Sequence, residues 1–253
     1  MPDDHAGRWI LGEAIAAGEF AEVRVGRDGD RAAAIKRLHT HAARTPELRA
    51  MFTAEAELTC ALPPHPHLVR GQAHGADHDR PYLVLDRVHG VDLRGHLGVA
   101  HPPATVAALM ATAAAGVAAL HAHGWIHGDV APANLIVGPG GLVLCDLGVA
   151  RRIGAGGPVR GTAAYMAPEQ VRGQPWSPAV DVFALGVIAW ELASGARLFH
   201  RGPSFLSMAA VVEAEAPPLD DPQLAPIVAA ALAKDPTARP DLATLIARLT
   251  PPG

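Results

Sequence analysis

A chain of 253 residues with 49% hydrophobic and 18% charged side chains can bury a sizeable core and is too apolar to stay disordered. Its formal net charge of −4 argues against nucleic acid as the main partner. Two cysteines, Cys60 and Cys145, are too few for a disulfide framework or a thiolate metal site and point to a reducing, cytoplasmic setting.

The first residues, Met-Pro-Asp-Asp-His, lack the basic and apolar regions of a secretion signal. Residues 9 to 38 alternate apolar and polar around turn glycines, which predicts strands at Trp9–Ile15, Ala21–Gly26 and Arg31–Leu38, the last two joined by Asp28-Gly29-Asp30. Between the first two lies Ala16-Ala17-Gly18-Glu19-Phe20-Ala21, which by itself reads as an ordinary hairpin loop. Lys36 closes the run Ala34-Ile35-Lys36 and is one of only two lysines, with Lys234. A solvated surface lysine is the usual reading, but scarcity and an apolar strand favour a functional one. A helix follows from about Pro46 to Leu62 and carries Glu55 and Glu57. Tyr82-Leu83-Val84-Leu85 predicts a buried strand, followed by Asp86-Arg87-Val88-His89-Gly90. Pro102 to Leu120 contains no charged residue and is long enough to span a bilayer. Its alanine and threonine content makes it a poor insertion sequence, so it reads as a buried core helix opened by prolines, with no membrane among the expected partners.

The run from His127 to Gly148 carries the chemistry. Asp129, Asn134 and Asp146 supply oxygen ligands at close spacing, and Asn134 is the only asparagine in the chain. A loop asparagine tolerating a left-handed backbone is the bland alternative; with both aspartates beside it, the functional reading is the better one. Mg²⁺ takes one or two protein oxygens and completes its shell with water and substrate phosphates. That leaves Asp129 to accept a proton from a hydroxyl. Further on, Asp181 opens an apolar helix through Leu192 and is placed to cap it, and helices are expected around 205–215, 222–234 and 241–249.

These runs resemble the eukaryotic-type (Hanks-type) Ser/Thr protein kinase domain, in a bacterial-looking form, over roughly Trp9 to Leu249. His127-Gly128-Asp129-Val130-Ala131-Pro132-Ala133-Asn134 is similar to the family's His-Arg-Asp-x-Lys-Pro-x-Asn, and Asp146-Leu147-Gly148 to Asp-Phe-Gly. Gly161-Thr162-Ala163-Ala164-Tyr165-Met166-Ala167-Pro168-Glu169 matches the end of a Ser/Thr-type activation segment. The resemblance implies an α+β, bilobal protein-kinase-like fold: a small antiparallel β lobe with one helix over residues 1–86 and a larger helical lobe over 87–253, forming a single domain. It implies ATP and Mg²⁺ as cofactors, Asp129 as base, Asn134 and Asp146 on the metal, and Lys36 on the phosphates, paired with Glu55 (Glu57 being the fallback). Thr162 would sit against Asp129. Ala16, Gly18, Val23, Ala34, Lys36, Leu85, Asp86, Val88 and Cys145 would form the nucleotide set, with Leu85 as gatekeeper, and the Asp86 carbonyl and the Val88 backbone on adenine. Cys145 is expected to face that pocket as an inert small hydrophobe. Glu169 would pair with Arg239, and Asp181 would also hold the catalytic-loop backbone.

The departures carry equal weight. Only the middle glycine of the phosphate loop survives as Gly18; Ala16 and Ala21 replace the outer ones, at about 1–2 kcal/mol wherever a left-handed residue is needed, and Glu19 brings negative charge to the tip. Gly128 cannot grip an activation-segment phosphate as the family arginine does, and Val149 to Arg160 contains no Ser, Thr or Tyr. Control by phosphorylation of that loop is therefore not expected. Ala131 replaces the lysine that assists transfer, with Arg151, Arg152 or Arg160 as candidate substitutes. The His-Gly-Asp spelling also resembles the aminoglycoside and choline kinase relatives. The first expectation is a phosphotransferase moving the γ-phosphate of ATP to a hydroxyl acceptor on a protein. The alternatives are a pseudokinase that binds or scaffolds, and a kinase of a small-molecule hydroxyl.

Overall fold

The alternating residues 9–38 fold as three long antiparallel strands in the computed structural model, which describes residues 5–155 and 159–250. They belong to the first of two units, made of residues up to His65 and Val69–His89. A six-stranded antiparallel sheet runs in the order β1-β2-β3-β4-β6-β5, with β1 at His5–Ala6, β2 at Trp9–Ala17, β3 at Ala21–Asp28, β4 at Arg31–Leu38, β5 at Gly71–Asp77 and β6 at Arg80–Leu85. One face buries Trp9, Leu11, Ala33, Ile35 and Val84. The other packs Leu38 and Leu83 against Ala42, Ala43, Phe52 and Ala56. These last four come from α1 (Thr40–Ala43) and α2 (Pro46–Ala61). The unit thus has a four-residue helical turn besides the one expected helix. Strand β5, Gly-Gln-Ala-His-Gly-Ala-Asp, lies at the sheet edge. Pairing rather than side-chain alternation defines it, and no period-2 pattern announces it.

The second unit contains Pro66–Leu68 and the residues from Gly90 onward. Its centre is α5 (Ala179–Ser194), buried without interruption from Val180 to Leu192 and stopped by Gly195 at φ +71°. The charge-free stretch forms α3 (Pro103–Ala122), which by length and composition alone could cross a membrane. Here its Val106, Met110, Ala113, Val117 and Leu120 are buried, and the helix packs against α5, α8 (Leu242–Leu249) and the short strand Gly141–Leu144. Strands β7 (Val91–Asp92), β9 (Leu135–Gly138) and β10 (Gly141–Leu144) make a three-stranded sheet, and β8 (Trp125–Ile126) pairs with β11 (Arg151–Arg152). The loop holding Asp129 runs between β8 and β9, and Asp146 follows β10. Helices α4 (Pro168–Val171), α6 (Ser204–Glu213) and α7 (Leu224–Ala231) complete the unit.

Candidate active site

The second unit fixes its loops with buried polar groups. Asp181 is not the cap expected of it: α5 begins two residues earlier, and the Asp181 carboxylate leaves the helix to accept the N–H groups of His127 and Gly128 at 2.9 and 2.8 Å and a His121 Nε2 bond at 2.8 Å. Burial by itself would raise the Asp181 carboxyl. The His121 hydrogen bond, the neighbouring imidazoles of His121 and His127 and the Gly128 N–H outweigh it and hold the carboxyl below its usual range. His127 is fully buried. Its Nδ1 accepts the Asp129 N–H at 3.2 Å, and its Nε2 lies 3.0 Å from the Cys145 carbonyl. One neutral tautomer, protonated on Nε2, satisfies both bonds.

These contacts present Asp129. Its Oδ1 accepts the main-chain N–H of Thr162 at 2.7 Å, and its Oδ2 accepts Asn134 Nδ2 at 3.1 Å. Burial pushes the Asp129 carboxyl up, against the opposing pull of Thr162 and His127, with Asp146 adding to the rise. The Asn134 amide also donates to the Asp129 carbonyl at 2.9 Å, so its nitrogen is committed and its oxygen is the end offered elsewhere. Cys145 N–H donates to the Asn134 carbonyl at 2.8 Å, which ties the next residue, Asp146, to the same loop. Asp146 is exposed at φ +63°, with its Oδ1 taking the Gly148 N–H at 3.1 Å. Aspartate is one of the few residues with a Cβ that adopts a left-handed backbone, as Asp79 also does here at φ +65°. Cys145 is half-buried, its thiol 3.7 Å from the Val143 carbonyl.

Gly128 stands at φ +74°, and a Cβ there would lie 2.3 Å from the Trp176 ring. Arg151 covers the same ring, its guanidinium carbon 3.8 Å from the centroid, and Gln170 Nε2 donates to the Gly128 carbonyl at 2.9 Å. The space beside Gly128 is thus filled by an aromatic ring and a cation. Arg152 is likewise turned onto Trp125 at 4.4 Å. Ala131, 1% exposed, carries no cation. Glu169 and Arg239 form a bidentate pair at 2.6 and 2.9 Å, and Arg239 also donates to the carbonyls of Ala179, Ala233 and Lys234. Tyr165 donates to Glu191 at 2.7 Å. Sequence reasoning passed over His121, Gln170 and Trp176. The only signal for Trp176 was the volume that Gly128 leaves empty.

In the first unit, Lys36 Nζ meets Glu55 Oε1 at 2.5 Å, with Glu55 7% exposed, while Glu57 is exposed. Register puts Ala16 opposite Val23, Val23 opposite Lys36, and Ala34 opposite Leu85, so these five residues share one sheet face. The Asp86 N–H donates to the Arg70 carbonyl at 2.9 Å and its carboxylate accepts from Gln72 at 2.6 Å; Val88 is half-buried. The loop after Ala17 is a tight hairpin in which Gly18 N–H donates to the Ala21 carbonyl at 2.8 Å. His39 Nε2 bonds the Gly18 carbonyl at 3.1 Å, and the His39 N–H bonds the Phe20 carbonyl at 2.8 Å. Neither Ala16 nor Ala21 has a positive φ, so the strain expected of alanine there is not incurred. A Cβ on Gly18 would meet only the Ala21 carbonyl, at 3.6 Å.

Among the described residues no group of three or more His, Cys, Asp and Glu side chains can hold a metal. Asn134 and Asp146 offer two hard oxygens, the number Mg²⁺ takes when substrate phosphates and water supply the rest.

A family model described as "Protein kinase domain" matches residues 9–248. Over 94% of its length the chain is 33% identical to the Serine/threonine-protein kinase PknB of Mycolicibacterium smegmatis, covering 41% of that protein. It is 34% identical to the Serine/threonine-protein kinase PkaB of Streptomyces coelicolor over 96% of its length, and 33% identical to the Serine/threonine-protein kinase PknA of Mycobacterium tuberculosis over 92%, covering 62% and 58% of those proteins. The chain therefore spans less than two thirds of each of these relatives.

Proposed function

The chain belongs to the protein kinase domain family, and from that premise we propose that it is a Ser/Thr-type protein kinase domain that transfers the γ-phosphate of ATP to a protein hydroxyl in a cytoplasmic setting. The observation that carries the reading is Asp129, aimed by the Thr162 N–H on one oxygen and the Asn134 amide on the other. In this reading Asp129 takes the proton of the incoming hydroxyl as its oxygen attacks, and its raised carboxyl makes it a better base than an ordinary aspartate. Asn134 and Asp146 would hold Mg²⁺, which would supply positive charge to neutralise the phosphates. Lys36, kept in place by Glu55, pairs with the phosphates, and the sheet face carrying Ala16, Val23, Ala34 and Leu85 covers the adenosine. Gly18, the Asp86 carbonyl, the Val88 backbone and Cys145 complete the nucleotide contacts.

The domain is proposed to work without activation-segment phosphorylation. What supports this is that a side chain at Gly128 would run into Trp176, which lies under Arg151; in this reading the stack supports the segment in the way a phosphate contact otherwise would. Arg160 is the remaining candidate to replace the missing lysine, since Arg151 and Arg152 cover aromatic rings.

Transfer of labelled γ-phosphate from Mg-ATP to the chain itself, to generic protein acceptors and to a small-molecule panel is the test. Transfer to protein that disappears in Asp129→Asn supports the reading. Mg-ATP binding that is lost in Asp146→Ala, without transfer to anything, replaces it with a binding module; buried Ala131 is the observation favouring that second reading. Transfer confined to a small molecule would move the acceptor class.

A further inference from the structure

On the first unit, by the C-terminal end of α2, lies a cavity of about 540 Å³ whose side chains the functions described above leave unused. Its lining includes Arg31, Cys60, Leu62, Arg70, Gln72 and Asp86. We propose that this cavity is a binding site for a small phosphorylated metabolite, a phosphate monoester with a compact organic body.

Its polar side is organised before any ligand arrives. Arg31 lies over Trp9, 5.6 Å from the ring centroid, and its Nη2 donates to Gln72 Oε1 at 3.3 Å. Gln72 turns its other end to Asp86, donating Nε2 to Oδ1 at 2.6 Å. The amide is held at both ends, and the one carboxylate in the lining is engaged by a neutral donor. Arg31 has used one of the five N–H donors of its guanidinium, and the Arg70 guanidinium makes no hydrogen bond or ion pair among the described residues. Two arginines against one aspartate leave the cavity cationic, and the planar guanidinium fork matches a phosphate with two parallel bonds.

Size and the apolar side narrow the class. The volume falls in the range of small-molecule sites and far exceeds what a bare inorganic ion fills. Leu62 is buried, and burial pushes the Cys60 thiol up, so at neutral pH it adds no negative charge and no nucleophile. The cavity is therefore built to bind rather than to react. It touches Leu62, just beyond the end of α2, and Asp86, just beyond the end of β6. Thr59, one residue before Cys60, donates its hydroxyl to the Glu55 carbonyl at 2.6 Å. A ligand there would lie against the supports of the Lys36–Glu55 pair.

The test is calorimetric titration of the full chain, without Mg²⁺, with glycerol phosphate, a ribose phosphate and a nucleoside monophosphate, using inorganic phosphate, sulfate and ribose as controls. Binding of at least one ester is expected, weakened about tenfold or more in Arg31→Gln and in Arg70→Gln, the loss of one charge-assisted bond, and unchanged in Lys36→Met. No binding by any ester overturns the proposal, as does binding lost in Lys36→Met but kept in Arg70→Gln. Inorganic phosphate binding as tightly as the esters would reduce the site to an adventitious ion only. Because no arm measures transfer, failure here leaves the kinase reading standing, and failure of transfer leaves this site standing.

Discussion

Two loops, one in each unit, each contain a glycine at a place where the family pattern is altered, and they differ in what holds them. The hairpin around Gly18 is exposed, tied at its carbonyls by His39, and has room for a Cβ. The loop around Gly128 is buried, its N–H on Asp181 and its carbonyl on Gln170, with a ring where a side chain would start. By spelling, the first has lost glycines that mattered and the second has gained one that disables a switch. In the structure the first has lost nothing that its backbone requires, and the second is locked around the residue it gained. A glycine's weight therefore follows from φ and from the neighbouring atoms, not from its place in a motif.

The largest effect expected concerns what the locked loop holds up. Asp129→Asn should reduce transfer about 10²–10⁴-fold, the usual worth of a positioned base. It should leave folding intact, because burial disfavours the ionised carboxyl that the change removes. Equal losses of transfer and of thermal stability would show that Asp129 serves the fold instead. The wild-type rate should fall with acid at a pH above that of an ordinary aspartate, since the base works only when ionised and its carboxyl is pushed up.

Next comes the comparison itself. Gly128→Ala forces a side chain into the left-handed region and against Trp176, costing about 1–2 kcal/mol for the backbone and roughly 1–3 kcal/mol more for the overlap. Chemical denaturation reads the sum. Gly128→Ala/Trp176→Ala should recover part of the overlap term, although Trp176, 2% exposed, leaves a cavity of its own when truncated. No recovery, with backbone strain explaining the whole loss, would remove Trp176 from the account.

A smaller effect concerns Asp181. A carboxyl held below its usual pKa contributes stability that is fully present above the unfolded value and is lost as pH falls through the folded one. Acid unfolding of the wild type should therefore steepen below the ordinary aspartate range, and Asp181→Asn should flatten that limb. A limb of the same shape in the variant would mean that other carboxylates govern acid stability.

How much of this was readable from the chain depended on what each contact asks of a residue. Asp129, Asn134 and Asp146 stood out by type and spacing, Lys36 by its scarcity on an apolar strand, and Glu55, Glu169 and Arg239 through the family resemblance, because each is a side chain of fixed chemistry; the structure pairs Lys36 with Glu55, Asp129 with Asn134 and Glu169 with Arg239. The long strands and the apolar helices were plain from their periods, and their ends moved by up to three residues. Strand β5 was not visible, because edge pairing asks little of its side chains. Trp176 escaped because nothing in Gln-Pro-Trp-Ser says which loop it fills, and at Asp181 helix position suggested a cap that the fold does not use, whereas the family resemblance implied the hold on the catalytic-loop backbone that the N–H groups of His127 and Gly128 make.

The smallest expected effect is the sharpest check on the comparison. Gly18→Ala should change stability by no more than about 0.5 kcal/mol, as surface substitutions without special geometry do, because the position is exposed, has no positive φ and offers only an ordinary contact at 3.6 Å. Stability and nucleotide binding can then separate. If the backbone at Gly18 must come close to phosphate, Gly18→Ala keeps its melting temperature and still weakens Mg-ATP, whereas Glu19→Gln, which removes a negative charge from the same exposed tip, tightens it by an amount that falls with salt. Those opposite signs at adjacent residues would assign the hairpin to the nucleotide. No change in Mg-ATP affinity in either variant would mean that the hairpin stands clear of it, and the altered glycine pattern would then carry no information about activity.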